Sequence, residues 1–342
     1  MGLPKEKTRK HRQRTIIAGL ALLMIVAVLV SLALGRYPIS PGDALSMLVS
    51  KVIALPHTWT DRQETLFFNV RLPRIVLALM VGCCLSAAGA AFQGIFQNPL
   101  VSPDILGASQ GAAFGAAIAI LAGAASLGIS LSAFGFSLLT VVIVLIVSAR
   151  AKGNHILIVV LAGVMVSSLF SAGVSYAKLV ADPTNQLASI TYWLMGSLTG
   201  AKPSDIALAA GPMTVGLIVL YLFRWHINIL TMGDDEARTM GVNAPRIRVI
   251  IIAASTLITA TSVASCGIIG WVGLVIPHLS RMLIGSDYRA LIPASMLMGA
   301  SFLLIVDDVS RLATTAEIPI GILTAFVGAP FFLYLITRRK SR

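Results

Sequence analysis

Residues 15–35 read TIIAGLALLMIVAVLVSLALG, an apolar run without a single charged side chain. A helix needs about 20 apolar residues to cross the hydrocarbon core of a bilayer. The preceding stretch, KEKTRKHRQR at 5–14, has the basic character of a signal-peptide start. The apolar run is longer than the core of a signal peptide, however, and further apolar runs follow it. We therefore predict an uncleaved first transmembrane helix behind a basic cytoplasmic tail at residues 1–14.

The composition of the whole chain is typical of a membrane protein. Of its 342 residues, 57% are hydrophobic and 12% are charged, and the mean hydropathy is +0.89. A soluble domain carries about 25% charged residues, which argues against a soluble enzyme, a disordered chain and a nucleic-acid-binding module. The net charge of +12 comes from basic residues that punctuate apolar runs and form no continuous patch. We therefore expect contact with membrane lipid and none with nucleic acid.

Nine further apolar runs have the length of membrane spans or approach it. The predicted fold class is all-α, a polytopic membrane protein with about ten transmembrane helices in one domain over residues 15–337. The two least regular runs are 104–123, which is rich in Gly and Ala, and 270–286, which Pro277 interrupts. The runs after the first are 74–95, 104–123, 131–149, 156–178, 205–223, 249–266, 270–286, 290–310 and 318–337.

The distribution of Lys and Arg indicates how the chain is oriented. With ten spans and the N-terminus inside, 18 of the 26 Lys and Arg residues fall on the cytoplasmic side. Cytoplasmic loops of membrane proteins carry such an excess. Both termini are therefore predicted to be cytoplasmic, the second of them as a short tail at residues 338–342.

The segment 107-GASQG-111 matches the G-x-S-x-G pattern of serine hydrolases. That motif places its serine on a turn between a strand and a helix and needs a histidine base. Here Ser109 opens an apolar run with no strand pattern before it, and glycines repeat every four residues, as in helices that pack closely. We predict a packing role and no catalytic residue, with a membrane hydrolase using Ser109 as the competing class. The five histidines are scattered, so we also expect no metal site.

Two carboxylates, Asp307 and Asp308, lie in an otherwise apolar run near the outer end of a predicted span. An unpaired carboxylate is costly in a membrane and is by default a functional candidate. Arg311 follows at the three- and four-residue spacings of helix-local ion pairs. We predict a structural ion pair of either carboxylate with Arg311. An ion relay, and with it an ion-coupled secondary transporter, is the alternative.

The cytoplasmic segment 232-MGDDEARTMGVNAPRIR-248 has the features of a short capped helix. Its three acidic residues at 234–236 fall in the first turn, where the helix dipole favours anions. Asp234 and Arg238 have the i,i+4 spacing of an ion pair, and Gly241 has the position of a helix C-cap. The segment is either a connector between two spans or a docking element for a soluble partner.

The chain has no G-x-x-x-x-G-K-[ST] sequence and no Gly-Lys dipeptide. It therefore lacks the lysine-bearing loop that cradles phosphates. Any ATP that drives this protein must bind to a partner, and we expect no cofactor in this chain.

Collinear motifs along nearly the whole chain resemble the FecCD-type permeases, the membrane subunits of bacterial ABC importers for iron-siderophores, haem and vitamin B12. The most distinctive motifs lie at 233–242 and 273–281. The full set is 70-VRLPR-74, 93-QGIFQNPLVSPDILG-107, 161-LAG-163, 192-YWLMGSL-198, 233-GDDEARTMGV-242, 273-GLVIPHLSR-281, 288-YRALIPASMLMGAS-301 and 317-EIPIGILTAFVGAPFF-332.

The resemblance implies a type II ABC importer permease that works as a homodimer in the bacterial cell (inner) membrane. Two ATP-binding cassette subunits, which hold ATP-Mg, would dock on the cytoplasmic side. A periplasmic or lipid-anchored binding protein would deliver the substrate. The expected substrate is an iron chelate such as an iron-siderophore, with cobalamin or haem as alternatives.

The resemblance also implies roles for individual residues. Asn98 and Leu100, in the turn after the second span, match the cytoplasmic gate, whereas the family's other gate element, near His155 and Ile156, is not matched. The coupling segment covers 230–248. The residues implied in docking of the binding protein are Arg71, Arg74 and Arg311, and those implied in coupling to the ATPase are Gly233, Asp234, Asp235, Glu236, Ala237, Arg238, Met240 and Gly241.

Overall fold

The computed structural model describes residues 3–35, 37–51, 53, 56, 58–151 and 155–338. Within these residues the chain forms fourteen α-helices and no β-strand. The helices are α1 (Leu3–Ala33), α2 (Pro41–Ser50), α3 (Asp61–Leu66), α4 (Leu72–Ile95), α5 (Ala108–Leu121), α6 (Ser126–Arg150), α7 (His155–Val180), α8 (Gln186–Leu194), α9 (Pro203–Leu230), α10 (Asp234–Thr239), α11 (Ala244–Cys266), α12 (Val272–Ile284), α13 (Tyr288–Leu312) and α14 (Ile320–Arg338).

The ten predicted spans correspond to ten of these helices. Seven of them, α1, α4, α6, α7, α9, α11 and α13, are long and apolar enough to cross a membrane. The other three are α14 and two short helices, α5 and α12, of 14 and 13 residues. These two are the irregular runs of the sequence. Their length has a backbone cause, because α5 follows Gly107 with φ 78° and α12 follows Trp271 with φ 69°, left-handed conformations through which a helix does not continue.

The first span begins earlier than its apolar run. The basic stretch predicted as a tail is helical from Leu3 and continues into the apolar run without a break. At 1.5 Å per residue the 31 residues of α1 measure about 46 Å. Because the hydrocarbon core is about 30 Å thick, the basic first turns of α1 extend beyond it.

The bundle is built around α4, α11 and α13. Most residues of these three helices are buried, while most residues of α1, α6, α7 and α9 are half-buried or exposed. Small residues permit the close packing: a Cβ atom on Gly82 of α4 would lie 2.2 Å from the carbonyl oxygen of Gly299 on α13. Similarly, a Cβ atom on Gly111 of α5 would lie 1.9 Å from Thr140 Oγ1 on α6. The packing role predicted for the glycine-rich third span is thus confirmed.

The two ends of the bundle carry different features. One end holds α10, the turn after α4 and the start of α1, and we call it the α10 end. The opposite end holds α2, α3 and α8, and we call it the α8 end. Tyr192 and Trp193, aromatic side chains of the kind found at membrane interfaces, both lie on α8. The α10 end is the side that the Lys and Arg distribution predicts to be cytoplasmic.

Candidate functional site

The predicted coupling segment forms a short helix, α10, with defined ends. Its first turn holds the three acidic residues, as predicted. At its C-terminus the Val242 N–H donates to the carbonyl oxygen of Ala237 at 2.9 Å, and the Gly241 N–H donates to that of Arg238 at 3.0 Å. This pair of bonds is a Schellman motif, which needs a left-handed residue. Gly241 has φ 76°, so the predicted C-cap is confirmed.

Buried contacts fix α10 to the bundle. Ala237 is fully buried, and Asp234 Oδ1 accepts a hydrogen bond from Arg248 Nη2 of α11 at 2.8 Å. The predicted pairing of Asp234 with Arg238 is therefore wrong. Arg248 is only 3% exposed and needs a counter-charge, because a buried charge is stable only when paired. Arg238 is exposed.

The opposite side of α10 is free of the bundle. Asp235, Glu236 and Arg238 are exposed. Two large apolar side chains flank the helix, Met232 at 62% and Met240 at 52% exposure. Adjacent exposed apolar residues rimmed by charges are typical of protein interaction sites. The sequence predicted Met240 as part of this set but not Met232.

The predicted gate residues lie in the turn between α4 and α5, at the α10 end. Asn98 Oδ1 accepts a hydrogen bond from the Leu100 N–H at 2.9 Å, which fixes the turn. Leu100 is 56% exposed and projects from it. The preceding residue, Gln97, has φ 51°, and its Nε2 donates to the carbonyl oxygen of Leu230 at 2.9 Å. No signal in the sequence points to Gln97, because its partner lies on another helix.

The gate assignment of Asn98 and Leu100 remains a prediction. His155 and Ile156, near which the family has its other gate element, lie at the start of α7. The sequence does not match the family there, so the second gate element is not assigned; residues 152–154 lie outside the described part of the chain.

Arg74, predicted to dock a binding protein, lies inside the α8 end. It is 7% exposed, and its guanidinium donates to both carboxylate oxygens of Asp307 at 2.9–3.0 Å. Its Nη1 donates to Glu317 Oε2 at 2.8 Å. Glu317 Oε2 also accepts a hydrogen bond from Thr199 Oγ1 at 2.6 Å. Arg74 therefore connects α4, α13 and two loops of the α8 end.

Arg71 and Arg311 are likewise 8% exposed and bonded within the chain. Arg71 donates to the carbonyl oxygens of Leu32 and Tyr37, and Arg311 pairs with Asp308 and with Ser31. Docking by these three arginines stays a prediction, although in this structure none of them presents a free charge at the surface.

The two intramembrane carboxylates pair with different arginines. The pairing of Asp308 with Arg311 is confirmed, whereas Asp307 pairs with Arg74 and not with Arg311. Both carboxylates are thus neutralised by arginine, which is typical of structural ion pairs and removes the observation that favoured an ion relay.

Ser109 has the surroundings of a packing residue. It lies in the first turn of α5 after a 3₁₀ turn, and it is 6% exposed. Its backbone N–H donates to Asp104 Oδ1 at 3.0 Å. The described residues place no strand before it, so the context of a hydrolase nucleophile is missing. Nor do the described residues contain a group of three or more His, Cys, Asp or Glu side chains arranged for a metal ion.

A polar cleft of about 600 Å³ opens at the α8 end. We call it the hydroxyl cleft, because hydroxyl and amide groups line it and none of its described lining residues is charged. Four elements contribute to it: α5, α6, α8 and α11. Its polar lining residues are Ser126, Ser130, Asn185, Gln186, Ser189, Tyr192, Ser197, Thr199 and Ser265.

Residues 23–338 match the model of the FecCD transport family. The chain belongs to the FecCD transport family. It is 40% identical over 325 residues to the molybdate import system permease protein MolB of Haemophilus influenzae, covering 95% of this chain and 96% of that one. It is 36% identical over 336 residues to the Fe(3+)-citrate import system permease protein YfmE of Bacillus subtilis, covering 97% and 98%. Further relatives carry the names of cobalamin and hemin permeases.

A solved structure gives the same assignment for this FecCD chain. It is described as an inward-facing conformation of a metal-chelate type ABC transporter, and it superposes with a TM-score of 0.85 at 38% identity, covering 95% of this chain and 99% of that one. The resemblance and the ten-helix all-α architecture are thereby confirmed. This FecCD chain is a multi-pass membrane protein and the permease subunit of an ABC importer, a class that works with ATPase and substrate-binding subunits.

Proposed function

We propose that this FecCD permease forms, as a homodimer, the translocation pathway for an iron chelate in the bacterial inner membrane. The observation that carries the proposal is the contrast between the two ends of the bundle. At the α10 end a short helix is anchored by Ala237 and exposes charged and methionine side chains. At the α8 end lies the uncharged hydroxyl cleft. Such a molecule can receive a polar solute at one end and can bind, at the other end, a partner protein that supplies energy for transport.

The proposed driving partner is a pair of ATP-binding cassette subunits. ATP-Mg would bind in them, and this chain would contribute no catalytic residue and no cofactor. The coupling residues Gly233, Asp235, Glu236, Arg238 and Met240 would fill a cleft on the ATPase, since most of them are exposed around one short helix. Both termini would then be cytoplasmic, together with α10.

The size and chemistry of the hydroxyl cleft support a chelate as the substrate. Ligand sites in proteins measure about 300–1,000 Å³, and a cleft of about 600 Å³ suits a bulky solute. Neutral hydroxyl and amide groups can hydrogen-bond the many oxygen atoms around a chelated metal, whatever its net charge. The likeness to the Fe(3+)-citrate permease supports iron as the metal.

Molybdate is the second candidate, because the molybdate permease of Haemophilus influenzae is 40% identical over nearly its whole length. A compact dianion, however, would fill only part of the cleft, and anion sites commonly provide positive charge. Cobalamin and haem remain alternatives of chelate size.

Reconstitution with the cognate ATPase and binding protein tests the proposal. Proteoliposomes without an ion gradient should take up a radiolabelled ferric chelate when ATP is supplied, and uptake should fall severalfold in Ser130→Ala/Ser189→Ala. Ser204→Ala, outside the cleft, is the matched control. Uptake of molybdate alone would select the second candidate. Uptake that needs an ion gradient and no ATP would select a secondary transporter.

A further inference from the structure

A second cleft, of about 460 Å³, lies at the α10 end between α1, α9 and α13. Unlike the hydroxyl cleft it is strongly charged, and we call it the cationic pocket. Ile17 and Ala290 are among its apolar lining residues. Its charged lining residues are Arg9, Lys10, Arg14, Arg224, Arg289 and Asp287.

Asp287 is the one carboxylate among the described lining residues of the pocket. Asp287 accepts hydrogen bonds from Asn228 Nδ2 at 2.8 Å and from Arg289 Nε at 3.1 Å. Burial raises the pKa of Asp287, but these hydrogen bonds hold the pKa below its ordinary value. The carboxylate is therefore ionised, and it forms an ion pair with Arg289. Within the described lining of the pocket, Arg9, Arg14 and Arg224 therefore add positive charge that Asp287 does not neutralise.

The pocket lies at the level of a membrane surface. Arg224 packs over the ring of Tyr221, with 3.5 Å between its guanidinium carbon and the ring centroid. Tyr221 and Trp225 are each 44% exposed, and exposed Tyr and Trp side chains mark the interface between lipid and water. Leu222, the residue after Tyr221 on α9, is 65% exposed and adds apolar surface beside the pocket.

We propose that the cationic pocket binds the phosphate headgroup of an anionic phospholipid, such as phosphatidylglycerol, in the leaflet at the α10 end. Arginine forks match phosphate oxygens, and basic pockets between membrane helices bind anionic headgroups. The neighbouring apolar surface of α9 accommodates the acyl chains, which free phosphate lacks. This lipid site goes beyond transport and beyond the proposed substrate.

The bound lipid would hold the first helix against the bundle. α1 is largely exposed along its length, and three of the five cations, Arg9, Lys10 and Arg14, lie on it. The other two lie on α9 and α13. A phosphate between them replaces repulsion among like charges with attraction, and so favours the docked position of α1.

The test compares lipid retention by the full-length permease in nanodiscs of phosphatidylglycerol or phosphatidylcholine, read by native mass spectrometry after release. Wild type should retain phosphatidylglycerol selectively. Arg14→Gln/Arg224→Gln should weaken retention about thirtyfold, since each basic residue near an anionic headgroup contributes about fivefold. Arg12→Gln/Arg246→Gln removes the same charge at exposed positions outside the pocket and should stay within about threefold of wild type.

Three outcomes overturn the proposal. Equal retention in wild type and Arg14→Gln/Arg224→Gln excludes the pocket as the lipid site. Full displacement by millimolar inorganic phosphate identifies a site for free phosphate. Loss of the lipid when the ATPase subunits bind identifies a protein contact. Arg14→Lys/Arg224→Lys, which keeps both charges, should restore most of the retention and shows that the loss does not come from misfolding.

Discussion

Gln97 donates a hydrogen bond from Nε2 to the carbonyl oxygen of Leu230, at 2.9 Å. Gln97 lies in the turn that carries Asn98 and Leu100, and Leu230 is the last residue of α9, four residues before α10 begins. The bond therefore joins the proposed gate to the proposed coupling helix. The backbone of Gln97 has φ 51°, a left-handed conformation that few residues other than glycine adopt.

Shortening this side chain should loosen coupling while the fold persists. Asn adopts left-handed backbone more readily than most residues, so Gln97→Asn keeps the amide and the turn but withdraws the donor by one methylene. A hydrogen bond contributes about 1 kcal/mol, and we expect transport per ATP hydrolysed in proteoliposomes to fall about fivefold. Gln97→Lys keeps a donor of sufficient reach and should retain most of the coupling. Equal coupling in Gln97→Asn and wild type would show that the bond transmits nothing.

Gly241 offers a test of α10 that separates backbone strain from steric overlap. A Cβ atom on Gly241 would meet no heavy atom within 4 Å, so a substitution there is penalised only through φ 76°. The cost for a β-branched residue is about 1–2 kcal/mol, concentrated in the Schellman motif. Gly241→Val should therefore abolish uptake and weaken co-purification of the ATPase.

Gly241→Asn is the matched control, because Asn tolerates a left-handed backbone at C′. It should retain ATPase binding and most of the uptake. Normal activity of Gly241→Val would identify α10 as a mere connector, and equal loss in both variants would assign the effect to the added side chain.

Substitution of Arg74 should lower the stability of the permease itself, ahead of any effect on docking of the binding protein. Removing one partner of a buried ion pair costs about 3–5 kcal/mol, and Arg74 bonds both Asp307 and Glu317. Arg74→Gln should lower the melting temperature of the detergent-solubilised permease markedly. Arg62→Gln, an exposed charge at the same end, should change stability by no more than about 0.5 kcal/mol.

A double-mutant cycle distinguishes the two roles of Arg74. Arg74→Gln/Asp307→Asn should recover part of the stability lost in Arg74→Gln, because the unpaired carboxylate is gone. Stability equal to wild type in Arg74→Gln, together with slower association of the binding protein, would contradict the internal role and support docking. Charge reversal to Glu is a poor docking test, since it would leave three carboxylates together inside the bundle.

Structural features that depend on residues close together in the sequence were predicted well, whereas contacts between residues far apart in the sequence were not. The ten spans follow from the length of apolar runs, and the ends of α10 follow from acidic residues and a glycine placed within one short segment. Each of these signals acts between residues that are neighbours along the chain.

Residues that pair across different helices leave no such signal in the sequence. Arg74 and Asp307 are 233 residues apart, and helix-local spacing offered Arg311 as the partner of Asp307. In a low-dielectric interior the buried guanidinium takes the carboxylate that packing brings closest, and packing follows from the close approach of small residues on separate helices. The hydroxyl cleft was missed for the same reason, since four elements share its lining.

Truncation of both predicted gate residues should uncouple the importer. Asn98 Oδ1 accepts a hydrogen bond from the Leu100 N–H, so Ala at position 98 frees the turn. Ala at position 100 removes a side chain that is 56% exposed and that could meet its copy in the proposed homodimer. Asn98→Ala/Leu100→Ala should raise ATP hydrolysis severalfold without raising uptake, or should let the chelate leak from loaded proteoliposomes. Ser102→Ala, in the same loop, should behave as wild type. Because the Gln97–Leu230 hydrogen bond remains, ATPase binding should persist. Wild-type coupling in the double variant would show that this turn does not constrict the pathway.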